Sequence, residues 1–308
     1  MLYERARHPR FKPCGEGLLP HGVAALRAIA GLPSAPRVRG LRFTAGRIVV
    51  DADFPGEAGL VVRRDRFDAW LFGRAAQTAN VDARPGTAYR PGRTRFQVGA
   101  DGIHSLFHRR FVGAYRPSRR VGLSTHVLGL EGLGDRVEVF FHDEGELYVA
   151  PTGGGEALVS ALFDYRHFRR DGINYLLRKT WALRDRVSRL EFTTPVLASA
   201  PLGLHVPRIT DPEAGLLLVG DAAGASDPIT ASGLALALVA TREAADAIVS
   251  GDLSQYERRR RALERPAREL GVLMRWLGRS ERRATRVLRY APAIVEPLLA
   301  SLVTRCPV

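Results

Sequence analysis

Residues 215–240 read GLLLVGDAAGASDPITASGLALALVA. An apolar run without alternation stops at Gly220-Asp221, a loop of small residues containing Pro228 follows, and a second apolar run begins after Gly233. That order predicts a strand buried on both faces, a tight loop and a helix. Strands of this kind belong to open parallel sheets, whose ligands sit beyond the carboxyl ends of the strands. Asp221 is then delivered to a ligand crevice, where its carboxylate accepts hydrogen bonds from sugar or polyol hydroxyls. Ala222 and Ala223 are small enough for a ligand to approach the backbone. The helix from about Ser232 presents free N–H groups with partial positive charge, which stabilise negative charge on a nearby ring. The alternative on spacing alone is a capped helix after a core strand, with Asp221 as the cap.

A chain of 308 residues, 45% of them hydrophobic, can bury a sizeable core as one large domain or two interleaved ones. Its formal charge of +14 points on its face to a polyanion or an acidic membrane surface. Nearly all of that charge is arginine, however, with Lys12 and Lys179 as the lysines, and it is scattered except for a cluster in the last quarter. No phosphate track emerges, so no nucleic-acid partner is expected. Cys14 and Cys306 stand at opposite ends and make neither a disulfide framework nor a metal set. No charged-then-apolar leader opens the chain and no apolar run is long enough to span a bilayer, so a cytoplasmic location is expected.

Strand-to-helix patterns stand at both ends of an alternating block. LYE (2–4) reads as a strand stub, followed by a basic loop and a helix over 21–30. LRFTAGRIVVDA (41–52) reads as a strand pair, LVVRRDRFDAWLFGRAAQ as a strand tip entering a helix, and FQVGADG as a short strand. Between Val121 and Asp164, alternating runs are punctuated by Asp-Glu-Gly and Gly-Gly-Gly turns, as an antiparallel sheet requires. A helix over 172–187, strand over 190–206 and basic helix beyond Gly251, with Pro266 as a kink, complete the pattern. The expected fold is α/β: a Rossmann-like parallel sheet with an inserted antiparallel sheet and a helical C-terminus.

VGDAAGASDPITASGLALAL resembles the flavin-contacting GD motif of FAD-dependent oxidoreductases of the para-hydroxybenzoate hydroxylase type, within them the geranylgeranyl-reductase-like branch. HPRFKPCGEGLLPHG (8–22), VVRRDRFDAWL (61–71), VGADGIHS (98–105) and YVAPTGGGEALVS (148–160) resemble further segments of that family in the same order. The resemblance implies FAD as cofactor, NAD(P)H as reductant and a hydrophobic small molecule as substrate. It assigns Asp221, on Gly220, to the ribityl hydroxyls, and Gly233, after Pro228, to the pyrimidine edge. Asp101 and Gly102 would stand near the pyrophosphate, Arg64 would neutralise phosphate charge, and Glu4 would bind the adenosine ribose. Cys14 and His21 lie in the loop this branch places near the flavin, as candidates for proton delivery. An FAD domain is expected over 1–40, 59–120 and 208–250, a substrate sheet over 41–58 and 121–207, and a helical region over 251–308.

The sequence departs from the family in three places. The GxGxxG that should precede Glu4 is missing, leaving a gap beside Leu2 and Tyr3, either because the true start lies about 30 residues upstream or because the gene is truncated. Residues 81–97 are shorter than the family's, and Ala231-Ser232 replaces a glycine-rich pair. Two chemistries fit: hydroxylation through oxygenated flavin, and hydride transfer to an alkene; neither needs a nucleophilic triad or a metal. The rival is a non-catalytic remnant, or a basic binding protein without flavin. The arginine-flanked apolar stripe after Gly251 reads either as a helical tail packed on the domain or as an interfacial helix giving peripheral contact with anionic lipid.

Overall fold

The computed structural model describes residues 1–108, 116–200, 202–290, 293 and 297; Cys306 lies outside the described residues. Among these, an eight-stranded sheet runs in the order Val187–Phe192, Arg120–Leu130, Glu156–Asp164, Gly145–Gly153, Arg136–Phe141, Gly40–Ala45, Ile48–Asp53, with Leu197–Ser199 also on the 120–130 strand. Neighbours are antiparallel except where Gly40–Ala45 lies parallel to Arg136–Phe141. Gly153, Gly154 and Gly155 all take positive φ, and this left-handed run makes the hairpin before Glu156–Asp164. The inner residues Leu147, Ala157, Val159, Ala161 and Phe163 are fully buried. The helix α3 (Gly172–Lys179) covers this core. It stops short of the span expected from sequence because Thr180 turns extended, its hydroxyl bonding the Leu176 carbonyl, and a 3-10 stretch follows. Expected strand over 190–206 is likewise broken into short pieces around Pro195.

The parallel elements form two separate small sheets. Leu2–Glu4 pairs with Ala83–Pro85, and Gln97–Gly99 pairs with Leu216–Leu218, which has Thr210–Asp211 antiparallel on its other side. Leu216, Leu217 and Leu218 are buried on both faces, as their unbroken apolarity requires. Three helices pack here: α1 (Pro20–Ala30), α4 (Gly233–Ser250) and α5 (Leu253–Gly278), while α2 (Arg64–Ala76) follows the short strand Gly59–Val61. The close approach of α1 to α4 depends on Gly22, where a Cβ would come within 2.6 Å of the Ala235 backbone. Helix α5 runs through Pro266 and is fastened to the sheet by Tyr256, whose buried hydroxyl donates to the Leu218 carbonyl at 2.9 Å. Helix α6 (Glu281–Tyr290) lies against Gly40–Ala45 and Ile48–Asp53.

A cavity with a polar and an apolar end

The last residues of the Leu216–Leu218 strand, the start of α4 and the inner face of the large sheet enclose one continuous cavity of about 1440 Å³. That exceeds the roughly 300–1,000 Å³ typical of ligand pockets, leaving room for two ligands side by side. Its polar end is lined by Glu4, Lys12, Cys14, Glu16, Arg64, Asp101 and Asp221. The other end is walled by apolar side chains of the sheet, among them Phe43, Val139 and Phe141, and roofed by Leu270, Leu273, Met274 and Leu277 of α5.

Asp221 sits in a 3-10 turn, Gly220–Ala223, directly after the buried strand, with Gly220 at φ +57° making the turn possible. Asp221 lines the cavity and is an exposed residue. Desolvation there raises its pKa above the ordinary carboxylate value, while Arg64, Arg260 and Lys12 pull it back. The next loop is fixed from behind: the Asp227 side chain accepts from the Ile229 N–H at 3.1 Å, and Pro228 starts a second 3-10 turn. Ala231 closes that turn at φ +52°, a left-handed conformation that costs an L-residue about 1–2 kcal/mol. The strain aims the N-terminus of α4 at the cavity. Ser232 gives that helix no side-chain cap, and Gly233 and Leu234 line the cavity, so the helix end faces whatever binds there.

Arg64, the first residue of α2, is gripped by Asp68 one turn on, at 2.8 and 3.0 Å, and approaches the Cys14 sulfur at 3.4 Å. Burial opposes its charge, but the Cys14 sulfur and Asp68 outweigh burial and raise its pKa. Lys12 also pairs with Asp68, so two cations share one carboxylate, and both also act on Asp221. Asp101 turns its carboxylate to the Leu106 N–H at 2.7 Å, with Gly102 at φ +83° beside it. Glu4 accepts from the Ala6 N–H at 2.7 Å.

Glu4, Cys14, Arg64, Asp101, Gly102, Asp221, Pro228 and Gly233 therefore line a single cavity. Gly220 shapes the turn behind it without lining it. His21 is elsewhere: it is buried in α1, its Nδ1 has no hydrogen-bond partner, and desolvation lowers its pKa to about 4. His21 does not line the cavity.

Two buried networks were not apparent from sequence. Glu16, at φ +57°, accepts from the Arg64 N–H at 2.9 Å with one oxygen and meets His126 Nε2 at 2.9 Å with the other. Glu16 lines the cavity beside Cys14, with His126 behind it. Deeper in, Arg120 binds both Glu146 and Asp227, and Arg275 of α5 reaches Asp227 at 3.5 Å. Burial pushes the Glu146 carboxyl up to about 7 against the pull of Arg120. The partners lie 26 and 107 residues apart, and the available signal was a charge inside an otherwise apolar strand run.

The polar end suits the ring and sugar-alcohol arm of a flavin. A Cβ on Gly102 or Gly233 would meet nothing within 4 Å, so a ligand can lie against the backbone at both. The glycine-rich loop that would hold a pyrophosphate does not occur in the sequence. Among the described residues no cluster of His, Cys, Asp and Glu is arranged to hold a metal ion, and no helix is long and apolar enough to cross a membrane.

No protein-family profile matches the chain. Its backbone superposes on a flavin-dependent brominase, Bmp2, with a TM-score of 0.81 over 97% of this chain and 86% of that one, at 16% identity. The fold is that of the flavin-dependent oxidoreductases. A geranylgeranyl bacteriochlorophyll reductase-like protein from Thermoplasma acidophilum gives a TM-score of 0.76 at 20% identity, covering 99% of this chain and 89% of the other. In sequence, the chain is 32% identical over 181 residues to digeranylgeranylglycerophospholipid reductase 2 of Methanothermobacter thermautotrophicus, 53% of this chain but 45% of that relative. It is 27% identical over 301 residues to the menaquinone reductase of Mycobacterium tuberculosis, 83% and 72% of the two chains. The chain thus spans less than half of the archaeal reductase and about three-quarters of the mycobacterial one.

Proposed function

We propose that this chain is a FAD-dependent oxidoreductase acting on a long hydrophobic molecule, with NAD(P)H as reductant. The observation that carries this reading is the continuity of the polar end, centred on Asp221 and the α4 N-terminus, with an apolar chamber large enough for a second ligand. Reduction of a carbon–carbon double bond is favoured over hydroxylation because both curated relatives are reductases by name. Such substrates reside in bilayers, so the reading includes peripheral attachment of the protein to a membrane from the cytoplasmic side.

When bound, the flavin supplies the hydride. Asp221 accepts hydrogen bonds from its sugar-alcohol hydroxyls. The uncapped start of α4 would stabilise negative charge at the polar end, with Lys12 and Arg64 offsetting Asp68 and Asp221. Glu16 links the Arg64 N–H to His126 and so fixes the start of α2 beside the polar end. The apolar walls exclude water, and Phe43 and Phe141, stacked at 6.2 Å, bound the chamber that takes the substrate chain.

Titration of the protein with FAD, followed by gel filtration, tests the reading. Yellow absorbance should travel with the protein, and Asp221→Ala should weaken retention by about ten-fold or more, the scale of one or two charged hydrogen bonds. Colourless wild-type protein, or an Ala variant that holds FAD as well as the parent, would overturn it.

A further inference from the structure

The outer side of α5 carries Arg268, Val272 and Trp276, with Arg279 at its C-cap, at spacings of four, four and three, which places them on one helical face. Val272 is 57% exposed and Trp276 47%, large values for apolar groups on a helix that otherwise buries its leucines. Helix α6, which follows directly, carries Arg282, Arg286 and Arg289, all exposed, and Tyr290 at 77%. Arg283 joins the two helices at this corner, stacking over the Trp276 ring at 4.6 Å and donating to its carbonyl at 2.6 Å. Arg268, Arg279, Arg282, Arg286 and Arg289 meet no carboxylate among the described residues, although other arginines of α5 are paired, as in Arg259–Glu243 and Arg265–Glu269. Trp276 also lines the cavity. One side chain therefore belongs both to the basic, apolar-centred face and to the edge of the apolar chamber.

We propose that this face docks on an anionic lipid surface and brings the apolar end of the cavity to the bilayer. Unpaired guanidinium groups around a small apolar centre match an interfacial site, with arginines at headgroup level and Val272 and Trp276 below them. A nucleic-acid site would gain nothing from exposing Val272 between the arginines. Each arginine near an anionic surface contributes about five-fold in partitioning, equivalent to about 1 kcal/mol.

Co-sedimentation with vesicles of phosphatidylcholine, with and without phosphatidylglycerol, tests this without reference to flavin, so its outcome is separate from that of the FAD titration. Binding is expected only with phosphatidylglycerol and should fall steeply between about 0.1 M and about 0.5 M salt. Arg279→Glu, Arg282→Glu and Arg286→Glu combined should reduce it by about a hundred-fold or more, with an unchanged thermal melt, since these side chains are exposed and unpaired. Brominated phosphatidylcholine mixed with phosphatidylglycerol should quench tryptophan emission in the parent, and Trp276→Phe should remove that quenching. The proposal is overturned by binding that ignores phosphatidylglycerol or salt, by a triple variant that binds as the parent does, or by quenching that survives Trp276→Phe. Capture of duplex DNA with no affinity for vesicles would overturn it equally.

Discussion

Eight hydrogen-bonded strands floor the apolar end of the cavity, whereas its polar end is flanked by a two-stranded and a three-stranded sheet that do not pair with each other. In the first region Phe163, Leu147 and Val159 are fully buried and every central strand has two partners. In the second, Val98 stands 47% exposed on the short strand Gln97–Gly99 and lines the cavity. The difference separates two jobs. The apolar chamber is walled by one continuous sheet, while the polar end rests on small separate sheets and on side-chain pairs such as Arg64–Asp68 and Glu16–His126. A ligand that binds there contributes order as well as chemistry, and raises apparent stability by mass action.

The largest effect that could break this contrast is loss of core packing. Phe163→Ala should cost about 3–5 kcal/mol in urea unfolding, against less than about 0.5 kcal/mol for Val98→Ala on the exposed strand. Comparable losses from the two would remove the distinction.

Acid and base titrations probe two buried groups with oppositely directed effects. His21, in helix α1, has a pKa lowered from 6.5 to about 4 by desolvation. The unfolded chain therefore binds more protons in that window, and stability is lost as pH falls from 6.5 towards 4. Glu146, in the large sheet, is raised from 4.5 to about 7 by burial. Here the folded state binds the extra proton, so stability is lost as pH rises from 4.5 to 7. His21→Leu should flatten the acid side of the stability profile and Glu146→Gln the neutral side. Identical profiles for parent and both variants, in chemical unfolding at stepped pH, would contradict this assignment.

The smallest effect concerns strain at the polar end. Ala231→Gly should stabilise the protein by roughly 0.5–1 kcal/mol, the left-handed penalty less the extra chain entropy of glycine. A destabilised variant would mean that the Ala231 methyl group packs more than it strains.

Much of this was readable from local pattern. The run Leu216–Leu218 followed by Gly-Asp announced a buried strand delivering a carboxylate, and the Gly-Gly-Gly turn announced a hairpin. Those features depend on neighbours in sequence. Glu16 with His126, and Arg120 with Glu146 and Asp227, depend on residues far apart in the chain, and no periodicity records which charge will neutralise which. His21 shows the converse limit: its place in a motif-bearing loop made it a proton-delivery candidate, yet helix α1 turns it into the core. The αL turn at Ala231 was also hidden, since alanine gives no sign of positive φ.

Helix α5 joins the strand that leads to Asp221 to the roof of the apolar chamber. Its 26 residues make a rod of about 39 Å, held near one end by Tyr256 at the Leu218 carbonyl and bearing Leu270 and Leu277 over the apolar roof near the other. The strand end that presents Asp221 and the roof of the apolar chamber are thus held in place by one continuous helix.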